Sequence, residues 1–131
     1  EMEYSIPAEN GPACVAEIRE LLERKFPDVA WPIEYRTVAP DDVWLSPARK
    51  RPTVTVSIHE DVVRDETAYY QSAEKIFRSY GGRPHWGKVH YLTSDDFAAS
   101  YDHWDQWWGV REGVDPTGVL LNDQLRQLRP S

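Results

Sequence analysis

The chain has 131 residues, 40% of them hydrophobic and 28% charged, a composition that builds one folded core of single-domain size and excludes a disordered segment. With 22 acidic residues against 15 basic ones the formal charge is −7, which opposes the phosphate attraction behind most non-specific nucleic-acid affinity, so nucleic acid is not an expected partner. No apolar run reaches the roughly 20 residues of a transmembrane segment, and the single cysteine, Cys14, rules out an internal disulfide and a thiolate zinc site and suits a reducing, cytoplasmic setting.

The opening EMEYSIP alternates Met2, Tyr4 and Ile6 against Glu3 and Ser5, the period of a half-buried strand closed by Pro7. A strand that begins with no turn before it and no Met at residue 1 is expected of a chain cut from something longer. Asn10 is placed to cap a helix with Pro12 in its first turn, and Val15, Ile18, Leu22 and Phe26 recur at spacings of three and four, with Cys14 as a core thiol beside them. Residues 31–39 and 53–59 then read as two strands. Alternation puts Glu34 and Arg36 on one face of the first and Ile33 and Tyr35 on the other; in the second, Thr55, Ser57 and His59 oppose Val54, Val56 and Ile58. The two polar faces are expected to form one wall. Arg49, Lys50 and Arg51, flanked by prolines, read as a solvated connection.

A second helix follows, capped by Asp65, with a stripe through Tyr69, Ala73, Ile76, Phe77 and Tyr80 and a stop at Gly81 and Gly82. GGRPHWGKVHY, residues 81–91, is then a shaped loop, dense in polar and aromatic groups and broken by glycine and proline, of the kind that carries chemistry on a rigid scaffold. Ser94 with Asp95 and Asp96 opens a further helix on which Phe97, Tyr101, Trp104 and Trp108 recur at i, i+4, i+7 and i+11. VDPTG, residues 114–118, is a turn, and Asn122 is placed to cap a short last helix bearing Leu125 and Leu128. The order strand, helix, strand, strand, helix predicts an α+β fold: a split βαβ, ferredoxin-like core with an antiparallel sheet, helices on one face and further helices C-terminal to it, as a single domain over residues 1–131.

His85, His90 and His103 could contribute to a metal site, but the five-residue spacing of the first two suits neither a helical nor a strand pair of ligands, so no metal is expected. GxSxG, GxGxxG and GxxxxGK[ST] are all missing, and a dinucleotide would have to be held by something outside these residues. From the residues alone, a free-standing module that holds a small polar ligand on the wall of Glu34, Arg36 and His59 is an alternative, as is a dimerisation domain built on the aromatic excess.

RPHWGK, followed by the aromatic helix, DPTG and LLNDQL, resembles the C-terminal part of the aldonolactone and alditol oxidases, flavoenzymes of the vanillyl-alcohol oxidase superfamily. The resemblance runs from EMEYSIP to LLNDQLRQL, and within it IEYRTVAPDDVWLSPA looks more like alditol oxidases than like the lactone enzymes. It implies that this chain is the substrate-binding, flavin-covering portion of an FAD-dependent oxidase whose N-terminal domain holds most of the FAD. The substrate would be a polyol or sugar lactone whose hydroxyl is oxidised by hydride transfer to flavin, and the isolated chain would be inactive. By the same resemblance Glu34, Arg36 and Lys88 stand as catalytic residues, Thr55, Ser57 and His59 as substrate contacts, and Arg83, His85, Trp86 and Asn122 as cofactor contacts. Where alditol oxidases carry His-x-Thr on the second strand, this chain has Ser57 and His59.

Overall fold

The structure, a computed structural model, describes residues 1–130. In chain order it consists of β1 (Met2–Pro7), a turn of 3-10 helix (Ala8–Asn10), α1 (Gly11–Lys25), β2 (Glu34–Val38), β3 (Thr53–Ile58), α2 (Thr67–Ser79), β4 (Arg83–Pro84), α3 (Ser94–Ser100), α4 (Trp104–Val114) and α5 (Asp123–Gln127). The sheet runs β2-β3-β1-β4 with every neighbouring pair antiparallel. β3 therefore lies between β1 and β2, which run the same way and are joined through α1: the split βαβ arrangement of an α+β, ferredoxin-like fold.

Hydrophobic alternation explains the two inner strands. Met2, Tyr4 and Ile6 of β1 and Val54, Val56 and Ile58 of β3 are buried together with Cys14 and Ile18 of α1 and Tyr70, Ala73 and Phe77 of α2. Tyr4 stacks on Phe77 with ring centroids 5.0 Å apart, and its hydroxyl donates to Glu74 at 2.5 Å. A side chain at Gly11 would strike the Tyr35 hydroxyl and stand 2.6 Å from Val54 Cγ2, so α1 reaches the sheet only because residue 11 has no Cβ. β2 is an exposed edge strand and starts at Glu34, later than the run from residue 31 predicts; Pro32 has no N–H for a sheet ladder.

Several local expectations are corrected. Residues 83 and 84, expected in a loop, form β4: Ser5 pairs with Arg83 and Tyr4 with Pro84, and His85 N donates to Glu3 O at 2.9 Å just beyond. Proline is tolerated because the strand is an edge. Asn10 does not cap α1 with its side chain, which instead reaches Tyr80 O at 3.5 Å. The helix expected to run unbroken past Trp108 divides at Tyr101, which is extended (φ −133°, ψ 114°), and its start is capped by Thr93 rather than Ser94, in a reciprocal pair with Asp96. The four rings nevertheless stay buried, because the break lets Tyr101 lie under the Arg83 guanidinium, 5.1 Å from its ring centroid. Gly81 (φ +71°) stops α2, and Asn122 Oδ1 accepts from Leu125 N at 2.8 Å to start α5.

Candidate active site

Cross-strand register places Glu34, Ser57 and Glu3 in one row of the sheet and Arg36, Thr55, Ser5 and Arg83 in the next. Residues directly opposite one another share a face, so these side chains form one polar wall, behind the strands from the α1 and α2 layer. Glu34, Arg36, Ser57, His59 and Lys88 are brought together there, and Thr55 lies in register beside Arg36.

The centre of the wall is Glu3. Its carboxylate, only 7% exposed as a residue, accepts from Ser57 Oγ at 2.6 Å, from Lys88 Nζ at 2.7 Å and from Arg36 Nη2. Arg36 Nη2 also lies 3.3 Å from Ser57 Oγ and 3.6 Å from Glu34, and Lys88 makes a second ion pair with Glu1. His59 Nε2 faces Glu1 at 3.4 Å and Glu34 at 3.9 Å, while its Nδ1 is buried without a partner. Burial by itself would raise the Glu3 carboxyl, but hydrogen bonds from Lys88 and Ser57 and the Lys88 and Arg36 charges outweigh it and hold the group below the ordinary glutamate range. For Lys88 burial works against the ammonium, and the bonds and charges of Glu1 and Glu3 prevail, keeping it above the ordinary lysine range. Both groups are therefore charged at neutral pH.

Lys88 is aimed by the turn before it. Lys88 N donates to His85 O at 3.2 Å and Gly87 N to His85 Nδ1 at 3.1 Å, folding the chain back so that the ammonium returns to β1. Trp86 anchors this turn, its ring 4.9 Å from Phe97, 5.3 Å from Trp104 and 5.9 Å from Trp107. Arg83 donates to the carbonyls of Pro47 and Arg49, both at 3.3 Å, and Asn122 is engaged as the cap of α5. The structure thus gives three of the four residues expected toward a cofactor, Arg83, Trp86 and Asn122, a definite packing or capping partner within this chain, and leaves His85 exposed.

Glu3 and Glu1 are the members of the cluster that sequence reasoning missed. The alternation of β1 puts Glu3 on the polar face, yet nothing local shows that Lys88, 85 residues on, will cover it. A cleft of about 810 Å³ between residues 87–93 and α5 meets the cluster only at Glu1 and Lys88. The charged groups converge on the open sheet face, and that convergence of functional groups, more than the concavity, marks the site.

A family model described as D-arabinono-1,4-lactone oxidase matches residues 1–128. The chain belongs to the D-arabinono-1,4-lactone oxidase family. It is 40% identical over 128 residues to an L-gulono-1,4-lactone dehydrogenase of Mycobacterium tuberculosis, covering 98% of this chain and 30% of that protein. It is 34% identical over 133 residues to the L-gulonolactone oxidase of Mus musculus, covering 96% and 30% respectively. To an alditol oxidase of a Streptomyces species it is 30% identical over 129 residues, again 96% and 30%. The chain thus spans about 30% of the length of the curated relatives it matches. Residues 33–48 raise the expectation of an alditol oxidase, but identity over the whole chain is higher to these two lactone enzymes than to this alditol oxidase.

The wall of this family member fits one part of a flavin and not another. A flat, electron-accepting ring needs an open face bordered by cations, and Arg36, with its side chain 54% exposed, and Lys88 border such a face. A pyrophosphate is commonly cradled by a glycine-rich turn at a helix N-terminus, and the described residues contain no such loop. No helix among the described residues is long and apolar enough to cross a membrane.

Proposed function

We propose that this chain is the substrate side of an FAD-dependent oxidoreductase that oxidises a secondary or primary carbinol of an aldonolactone or a polyol. The observation that carries the reading is the convergence of Arg36 and Lys88 on the buried carboxylate of Glu3, on an open face of the sheet, in a member of the D-arabinono-1,4-lactone oxidase family. FAD, held mainly by residues outside this chain, supplies the acceptor for the hydride that leaves the carbinol carbon. The chain's own residues bind and orient the substrate and balance charge.

Arg36 and Lys88 hold positive charge where negative charge accumulates during the reaction, and because Glu3 and Ser57 fix both in advance, little reorganisation is needed when it arrives. The Glu34 carboxylate, half-exposed and 3.6 Å from Arg36, accepts a hydrogen bond from a substrate hydroxyl and sets the carbinol's orientation. The proton of the oxidised hydroxyl passes to His59 Nε2, which faces this side of the wall. Thr55 lies in register beside Arg36, and Ser57, fully buried with its hydroxyl on Glu3, acts on the distinction between hydroxyl patterns through the cluster it supports. The 40% identity to a lactone dehydrogenase favours a lactone over an open-chain polyol. We further propose a reducing, cytoplasmic location, in keeping with a single cysteine that is buried and unpaired.

The test is expression of the full reading frame, anaerobic addition of L-gulono-1,4-lactone, D-arabinono-1,4-lactone, xylitol and sorbitol, and observation of flavin bleaching. Bleaching by at least one lactone is expected; a flavin-loaded protein bleached by none of the four substrates refutes the reading. Reoxidation of the bleached flavin by oxygen or by an artificial acceptor then separates oxidase from dehydrogenase behaviour.

A further inference from the structure

A second concentration of charge lies away from the wall's carboxylates. Between the end of α2, β4 and α3 is a cleft of about 380 Å³ lined by Arg51, Arg78, Arg83, Asp96 and Ser100 around Gly81 and Gly82. Three guanidinium groups face one carboxylate there, in a chain whose formal charge is −7.

Asp96 is already occupied: it pairs with Arg78 at 2.5 Å and accepts from Thr93 N at 2.9 Å. Arg51 and Arg83 have no carboxylate within ion-pair distance among the described residues; their hydrogen bonds go to backbone carbonyls only, and Arg83 also lies over the Tyr101 ring. Arg51 donates to Gly81 O and Ser5 O, both at 2.9 Å, and its Nε is buried without a partner. Arg83 uses one nitrogen on two long bonds and keeps its remaining donors. Burial, then the like charge of Arg83, lower Arg51 to about 10, so the folded chain holds these two cations together against both desolvation and repulsion. A partly buried cation pair of this kind is stabilised by an anion, and planar guanidinium forks match the oxygens of a phosphate group in pairs.

We propose that the cleft of Arg51, Arg78 and Arg83 is a binding site for a phosphate-class oxyanion, either inorganic phosphate or a small phosphate ester. The anion would take the free donors of Arg51 and Arg83 from within the cleft and the outer donors of Arg78 from α2, with Ser100 Oγ as a further hydroxyl partner and the Asp96 carboxylate as the one repulsive group. This site borders the polar wall at Arg83 but uses none of Glu3, Arg36 or Lys88, and it does not depend on the reading given to them.

The experiment uses the FAD-saturated full-length protein, so that any pyrophosphate seat elsewhere is filled. Phosphate and glycerol 3-phosphate are titrated at constant ionic strength with chloride as the balancing anion, and binding is followed by calorimetry and by the melting temperature. Saturable binding of one equivalent is expected, with a rise in melting temperature that chloride does not reproduce; binding of the ester alone assigns the site to esters, and binding of both assigns it to the free ion as well. Arg51→Met should abolish binding. Because Arg51 also ties β1 to the end of α2, Arg78→Gln, which disturbs only a half-exposed ion pair, is the second variant. It should weaken binding roughly tenfold, the ratio expected for one charge-assisted hydrogen bond. No saturable binding by the wild-type protein, or wild-type affinity in a folded Arg78→Gln and a folded Arg51→Met, overturns the proposal.

Discussion

Replacing Glu3 with glutamine tests whether one buried carboxylate organises the wall. The amide keeps the shape and can still accept from Ser57, but it removes the negative charge shared by Arg36 and Lys88 and turns an N–H₂ group toward one of them. Breaking a fully buried ion pair costs about 3–5 kcal/mol. Here the partners are partly solvated: the Arg36 side chain is 54% exposed and Lys88 keeps Glu1 as a second partner. The expected loss is therefore smaller, about 2 kcal/mol, a fall of roughly 6–8 °C in melting temperature for a domain of this size. The pH dependence fixes the cause. Glu3 is depressed in the folded state, so its contribution is present above the unfolded glutamate value near 4.3 and is lost as pH falls through the lower folded value. Lys88 is raised, so its share persists at neutral pH and is lost only as pH climbs above the ordinary lysine value. Urea unfolding of wild type and Glu3→Gln from pH 7 to pH 3.5 should show a gap that is widest at pH 7 and narrows with acid. A gap below about 0.5 kcal/mol at pH 7, in the range of an ordinary surface substitution, or one unchanged at pH 3.5, would refute the argument.

Lys88→Met in the full-length protein should still bind FAD but be reduced by substrate roughly 100- to 1000-fold more slowly, the usual cost of one preorganised donor; stopped-flow reduction within threefold of wild type would leave Lys88 a structural residue. Gly11→Ala should destabilise the fold by about 1–3 kcal/mol, because the new methyl meets Tyr35 and Val54; an unchanged melting temperature would show that α1 can shift without cost.

How far the sequence discloses this molecule depends on the distance over which each feature is determined. β1 and β3 are legible because alternation is local and both strands bury an apolar side: Met2, Tyr4 and Ile6 face inward as their period requires, and so do Val54, Val56 and Ile58. Parity alone then places Glu34 and Arg36 beside Ser57 and His59. β4 is not legible, since two residues containing a proline carry no period, and Arg83 and Pro84 become a strand only because β1 offers a free edge. The division between α3 and α4 is hidden for the opposite reason. The spacing of Phe97, Tyr101, Trp104 and Trp108 satisfies one continuous helix, and the extended Tyr101 is set by its packing under Arg83, a residue from another element.

Glu3 shows the same limit within the site. An acidic residue on the polar side of an opening strand is ordinarily solvated, and its local sequence matches that expectation. What buries it is the edge strand β4, which delivers the HWGK turn so that Lys88 closes over β1, together with Arg36 and Ser57 from β2 and β3. The charge on each cation could be read from its own position, but their meeting on one carboxylate could not. It requires the antiparallel order β2-β3-β1-β4, which sets the first strand between the two that carry the cations' supports. The fold therefore contributes to the site a central anion that fixes two cations in place, and a substitution at Glu3 should disturb Arg36 and Lys88 together where a substitution at either cation leaves the other paired.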